Sequence, residues 1–480
     1  MLFNSYEFLL FLPTVLLLLA VAPRRARNGV LLVASYVFYG AWDVYFLSLI
    51  FLSTLLDFYC GLGIGRTRDR RIRRRFLWAS VGGNLLVLGF FKYFDFFSRS
   101  LGELLRALGI EASPVVLGIM VPVGISFYTF QTMSYTIDVH RGKLRPCRSF
   151  GDFALYVAFF PQLVAGPIER ATNLLPQIAD TGRRVSREAI MEGGWLVFWG
   201  FHKKVFVADN LARLVDPVYS DPGAMPAPLI VLAAVAFTIQ IYCDFSGYTD
   251  IARGVAKWLG FNLMLNFNLP YFAVDPSDFW RRWHISLSIW LRDYLYIPLG
   301  GSRGSQGRVL FNLMLTMALG GLWHGAHWTY IIWGLYHGVL LVAYRALAPG
   351  VHAGITGARK LLAIAVMFFW TALGMALFRV ESIGDYAAFA RSLLDNWGGG
   401  EVWLLWNGAY SAFGVAEYAV LLVVYCAVLL AVQVVQYVKG DLEIVLRAPV
   451  VLRVLLYVVM YFSITLGGAF DGRQFIYFVF

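Results

Sequence analysis

The sequence predicts an all-α, polytopic integral membrane protein, a helical bundle of about 10–12 spanning helices with re-entrant and interfacial helices between them. A single domain covers residues 1–480. Three observations lead to this class. Hydrophobic residues make up 59% of the chain and charged residues 14%, against roughly 45–50% and about 25% in soluble domains. Apolar runs recur at close to the ~20 residues that a helix needs to cross the hydrocarbon core. The arginines cluster in short segments beside those runs, as cytoplasmic loops do under the positive-inside rule.

That clustering also explains the net charge of +11. The charge marks loops rather than a nucleic-acid face, and no nucleic-acid-binding motif accompanies it. Cys60, Cys147, Cys243 and Cys426 lack the spacing of a zinc site or disulfide framework, and read as small core residues.

The elements follow in order. "LLLLAVAP" ends like a signal-peptidase site, but Glu7 precedes the apolar run and "PRRAR" follows it, which predicts a retained helix with its N-terminus outside. Val30 to Ile64 is long enough for two spans, and "GAWD" at Gly40–Asp43 breaks it into a hairpin. "RTRDRRIRRR" is then cytoplasmic, and helices are expected over Phe76–Phe97 and Val115–Ile137. In "FALYVAFFPQLVAGPIER", Pro161, Gly166 and Pro167 predict a re-entrant or interfacial element whose irregular backbone must be buried in protein.

Trp195–Val207 leads to "ADNLARLVDPVYSDPGAMPAP", whose aspartates place it outside as a loop. The helix from Leu229 returns through "IYCDFSGYTDIARG" to a cytoplasmic interface layer that extends to Arg308. There, Trp280, Trp283, Leu287, Trp290, Leu291 and Tyr294 recur at helical spacing, with Arg281, Arg282 and Arg292 able to reach headgroups or anionic ligands. Val309–Leu347 holds two helix lengths, with a break expected at Gly320 and Gly321, and "HAGITGARK" restores basic charge. A helix over Leu361–Leu377, an acidic outer segment and helices over Tyr418–Val438 and Val450–Leu466 leave the C-terminus outside.

"GGLWHGAHWTYIIWGLYHG" sets His324, His327 and His337 in this apolar background. Fifteen helical residues from Val309 would raise His324 by roughly 22 Å into a core of about 30 Å, a depth at which an ionisable side chain marks a functional site or a neutral, hydrogen-bonded histidine. On one continuous helix, His327 would lie about 60° from His324 and His337 about 220° away. With no carboxylate or cysteine beside them, no metal site is expected. A neutral imidazole suits general-base work on a hydroxyl attacking an acyl donor. His284 in "RRWHISLS" is the second candidate, with simple interfacial snorkelling as its bland alternative. Asp244 and Asp250 read as partners of Arg253 or caps of a broken helix. "PLGGSRGSQGR" is basic and glycine-rich without the spacing of a nucleotide motif.

Taken in order, "PVGISFYTFQTMSYTIDVHRG", "FFPQLVAGPIER", "DFSGYTDIARG", "NFNLPYF", "DFWRRWHISLSIWLRDYLYIPLGG", "GGLWHGAHWTYIIWG" and "FIYFVF" closely resemble the membrane-bound O-acyltransferase (MBOAT) family, in its bacterial alginate O-acetylation branch. The resemblance runs from Phe127 to the end, with departures at His140 and Val479. It implies a bacterial inner-membrane acetyltransferase that carries an acetyl group from a cytoplasmic donor, acetyl-CoA, toward an exported polysaccharide such as alginate. It further implies a periplasmic or extracellular acetyltransferase partner that completes the transfer. His324 takes the position of the family's catalytic histidine and His284 belongs to the active region. His327 and His337 remain packing or hydrogen-bonding neighbours. Arg281, Arg282 and Arg292 are candidates for holding donor phosphates. The rival readings are D-alanyl transfer to teichoic acid from a carrier protein, and a transporter that moves an acyl donor or lipid without catalysis.

Overall fold

The structure is a computed structural model that describes every residue except 348–354, 399, 407–408, 471 and 477–480. The start of "HAGITGARK" and Val479 lie outside the described residues. Regular structure among the described residues is helical apart from one antiparallel hairpin, Glu401–Trp406 with Ala409–Gly414, which pairs Glu401 with Gly414 and Val402 with Phe413. Among the described residues seven helices are long and apolar enough to cross a membrane. The expected ten to twelve had counted shorter or more polar ones, such as Tyr6–Val21 and Ile125–His140. The chain divides into two compact units, residues 1–193 with 252–264, and 194–251 with 265–480.

In the first unit the hairpin falls where expected, with helices Arg27–Gly40 and Tyr45–Arg66 flanking "GAWD". The next passage is longer than expected, running from Arg70 to Ala107 through a π-helical turn at Gly89–Tyr93. Buried Asp57 ties two of these helices together by accepting bonds from Ser80 and, at 2.7 Å, from Asn84, polar glue of the kind that joins membrane helices.

The helix expected over Val115–Ile137 starts only at Ile125. Pro122 and left-handed Gly124 (φ 77°) delay it, and a Cβ at Gly124 would stand 2.7 Å from the carbonyl oxygen of Leu163. Beyond it, helices Phe150–Ala158 and Phe160–Leu163 break at Phe159, and the irregular segment that follows is buried. The freed N–H of Phe160 bonds to Ser35 Oγ at 3.1 Å, so the break leaves that donor satisfied.

In the second unit the supposed outer loop after Val207 is instead the helix Asp209–Ser220, reached through a π-helical stretch, His202–Ala208. The aspartates obscured an apolar stripe of Leu211, Leu214, Val215 and Val218, spaced i, i+3, i+4, i+7 and buried. The helix Ala227–Trp258 is unbroken, so Asp244 and Asp250 are not caps. Each is paired with a buried lysine of the π-helical stretch: Lys204 lies 2.6 Å from Asp244 and Lys203 lies 2.6 Å from Asp250. Asp244 also accepts the N–H of Ile476 at 2.6 Å, which seats the C-terminal segment with Phe475 against Phe245 and Tyr248.

Helices Gly357–Arg379, Val415–Lys439 and Val450–Gly467 match their expected runs. The acidic segment before Val415 holds the helix Ile383–Asp395 and the hairpin.

Candidate active site

The apolar residues of Trp280–Tyr294 recur at helical spacing, and the chain there makes two short helices, the second of which runs on into a π-helical turn, Arg292–Tyr296. Asp275 caps the first, Pro276–Arg282, by accepting the N–H of Asp278 at 2.9 Å, and Pro276 occupies its first turn. The second is Ile285–Leu291, and between them His284 sits at φ 40°. A non-glycine residue held there costs of order 1–3 kcal/mol and persists only where the surroundings enforce it.

Asn266 enforces it. Its carbonyl accepts the N–H of Ile285 at 2.9 Å. Its side-chain Oδ1 accepts the N–H and hydroxyl of Ser286 at 3.2 and 3.0 Å and lies 3.1 Å from Nδ1 of His284. An amide oxygen only accepts, so the His284 proton is on Nδ1 and Nε2 is the basic nitrogen. His284 is fully buried rather than snorkelling, and burial pushes its pKa down to about 3, leaving the imidazole neutral.

His324 is the last residue of the helix Gln306–His324, and the partner helix Trp328–Leu347 starts after a short connection. Gly320 and Gly321 do not break the chain as expected, because both lie inside the first helix. Their role is packing: a Cβ at Gly321 would overlap the Tyr330 carbonyl, and one at Gly334 would overlap the Met317 carbonyl, so the two backbones meet closely.

This hairpin buries His324 to 5% exposure among Trp323, Trp333 and Phe378, at ring-centroid distances of 5.1, 5.1 and 5.4 Å. Its ring centroid is 6.2 Å from that of His284, too far for a direct bond between ring nitrogens.

A cavity of about 480 Å³ opens on His324, a size within the usual range for small-molecule sites. Its wall is mostly apolar, from residues such as Leu287, Leu291, Met317 and Trp333, and it carries two guanidinium side chains, Arg281 and Arg292. Arg281 is 61% exposed and reaches Ser277 Oγ at 3.4 Å, while Arg292 bonds Asp293 at 2.7 Å.

The third arginine, Arg282, is not on this wall. It bonds Asp278 at 2.9 Å and the Asn268 carbonyl at 3.2 Å, fastening the irregular segment Asn266–Asn268 to the first short helix.

The structure also separates the three histidines of the opening motif. His324 and His337 lie on different helices, so the phase argument across one helix does not apply. Trp333 stands beside both rings, at 5.1 and 4.8 Å. His337 is fully buried against Phe279 and Trp280, and His327 is exposed, with Nδ1 2.9 Å from Thr329 Oγ1 at the start of the second helix. Among the described residues no group of three or more His, Cys, Asp or Glu is placed to hold a metal ion.

Asn266 escaped the sequence reading. It is quoted in "NFNLPYF", but an asparagine four residues ahead of Pro270 carries no local signal beyond a turn, and its partners lie 18 and 20 residues further on.

Comparison with known proteins adds the chemistry that this geometry leaves open. Residues 139–383 match the model of the MBOAT, membrane-bound O-acyltransferase family. The chain is 46% identical over 387 residues to the "Probable alginate O-acetylase AlgI" of Azotobacter vinelandii, covering 80% of this chain and 76% of that one. It is 46% identical over 388 residues to the protein of that name from Pseudomonas aeruginosa, covering 80% and 73%. The "Peptidoglycan O-acetyltransferase" of Helicobacter pylori is 34% identical over 414 residues, covering 80% and 78%. The matched family segment contains His284, His324 and the cavity that His324 lines, and this multi-pass chain of the bacterial inner membrane belongs to the membrane-bound O-acyltransferase family.

Proposed function

We propose that this protein is an O-acetyltransferase that draws an acetyl group from cytoplasmic acetyl-CoA and passes it across the membrane for modification of an exported polysaccharide such as alginate. A partner on the outer side completes the transfer. The observation that carries the proposal is His324 on the wall of a largely apolar cavity that also presents Arg281 and Arg292. Relatives named for alginate and peptidoglycan acetylation support an acetyl group and a polymer hydroxyl as the end points.

In this mechanism the thioester carbonyl lies beside His324, and Arg281 and Arg292 hold the donor's phosphates, a task suited to the guanidinium fork. An acceptor hydroxyl attacks the carbonyl carbon while His324 takes its proton. The C–S bond then breaks, and the thiol leaves with the proton that His324 returns. His284, neutral and protonated on Nδ1, presents a basic Nε2 in the same buried region, and orients the donor or assists proton movement. The apolar wall excludes water, which would otherwise compete for the acetyl group.

Proteoliposomes loaded with the outer partner and polymer, and supplied externally with acetyl-CoA labelled in the acetyl group and in the nucleotide, test this reading. Acetyl label on the polymer with the nucleotide label left outside supports transfer. Both labels inside, still joined, would indicate a transporter. Label delivered only from a D-alanyl carrier protein supplied in parallel would make the protein a D-alanyltransferase.

A further inference from the structure

A second cavity, of about 570 Å³, lies wholly in the first unit and carries a different surface. Four arginines line it: Arg24 and Arg27 just after the first helix, and Arg183 and Arg184 from the turn after Ala179. Among the described residues no acidic side chain lines it.

Arg183 is well engaged: it bonds the carbonyls of Gln177, Ile178 and Asp180 and Asn28 Oδ1, the last three at 2.8–3.0 Å, and its guanidinium lies 4.2 Å from the Phe261 ring centroid. Arg27 is less well supplied, since its Nε is buried and has no hydrogen-bond partner. Burial lowers the Arg183 pKa, with the Arg27 charge adding to that effect, while Asp180 and Asp152 oppose it. Converging guanidinium groups with a buried free donor call for a multivalent anionic acceptor.

The rest of the lining is mostly apolar. Leu16 and Leu19 come from the helix Tyr6–Val21, whose outward residues Leu10 (76% exposed) and Leu17 (68%) face lipid if the helix lies in the bilayer. Trp258 also lines the cavity, with its indole N–H bonded to the Ile190 carbonyl at 3.1 Å, and indoles favour the level of the headgroups. The cavity thus changes from hydrocarbon-compatible to strongly cationic over one helix end, the profile of an anionic phospholipid lying along the protein.

We propose that this cavity is a binding site for an anionic phospholipid, with the phosphate held by Arg24, Arg27, Arg183 and Arg184 and the acyl chains running along Leu16 and Leu19. The site is separate from the His324 cavity, and its existence does not rest on the acetyltransferase reading.

The full chain, purified in a neutral detergent, is titrated with phosphatidylglycerol, phosphatidylcholine or soluble glycerol phosphate, and bound lipid is measured by native mass spectrometry. The expected result is retention of phosphatidylglycerol at concentrations at least about tenfold below phosphatidylcholine, without displacement by equimolar glycerol phosphate. The double substitution Arg27→Gln with Arg184→Gln, and the exposed single Arg24→Gln, should narrow that preference, whereas Arg70→Gln, outside the cavity, should leave it unchanged. Equal retention of the two lipids by wild type would overturn the proposal. So would displacement by glycerol phosphate, which would mark a free-phosphate site, or unchanged preference in the folded cavity variants.

Discussion

Asn266 holds His284 in place: its Oδ1 lies 3.1 Å from the imidazole Nδ1 and takes two further bonds from Ser286. Removing that oxygen should free the ring to change tautomer and leave the buried N–H of Ser286 without its acceptor, costing about 1–3 kcal/mol. Asn266→Ala is expected to lower kcat by roughly 10²-fold with little change in KM for the donor. Asn266→Asp keeps an acceptor but adds a charge that favours the protonated imidazole. Its activity should therefore fall as the assay goes from pH 8 to pH 6, a dependence that a purely structural role for Asn266 would not produce.

The depressed pKa of His284 has a consequence for stability. Its folded value is about 3 against an ordinary 6.5, so between those values the unfolded state binds the extra proton. The stabilisation is fully present above about pH 6.5 and is lost as pH falls toward 3. From pH 7 to pH 5 the loss assignable to His284 is about 2 kcal/mol. Chemical denaturation of wild type and His284→Gln at both pH values isolates it. The difference between the two proteins should shrink at pH 5, and a constant difference would mean that His284 is not held neutral.

Gly321 sets propensity against packing. Glycine to alanine inside a helix ordinarily stabilises by up to ~1 kcal/mol. Here the added Cβ would overlap the Tyr330 carbonyl at the closest approach of the hairpin that carries His324. Gly321→Ala should lower the thermal midpoint in detergent and reduce acyl transfer, and a raised midpoint would show that the helices do not meet this closely.

The three arginines should divide by kinetic effect. Arg281 and Arg292 face the cavity, so Arg281→Ala and Arg292→Ala should each raise KM for acetyl-CoA by about tenfold with kcat nearly unchanged. Arg282 is tied to Asp278 and the Asn268 carbonyl. Arg282→Ala should instead lower the unfolding midpoint, with no selective effect on donor KM, as initial-rate measurements beside melting curves will report.

What the sequence made legible, and what it hid, follows from the range of the forces involved. The spanning helices and the hairpin at "GAWD" are written in local apolar runs, and His324 stands in a motif that can be read by itself. The break at His284 was hidden because the flanking Trp and Leu spacing is continuous; what interrupts the helix is Asn266, 18 residues upstream. Gly320 and Gly321 misled for the same reason, since the local rule treats glycine as a breaker while the contact with Tyr330 belongs to tertiary packing. In Asp209–Ser220 the error was of weighting: the aspartates drew attention from an apolar stripe that was there to be counted.

The central claim is that His324 performs the chemistry. Proteoliposomes containing wild type or His324→Ala, matched for insertion and thermal midpoint, are given labelled acetyl-CoA and the outer partner, and the initial rate of label transfer is measured. A fall of at least about 10²-fold in kcat for the alanine variant, with donor binding retained, is the predicted result. Transfer by folded His324→Ala at the wild-type rate would contradict the account.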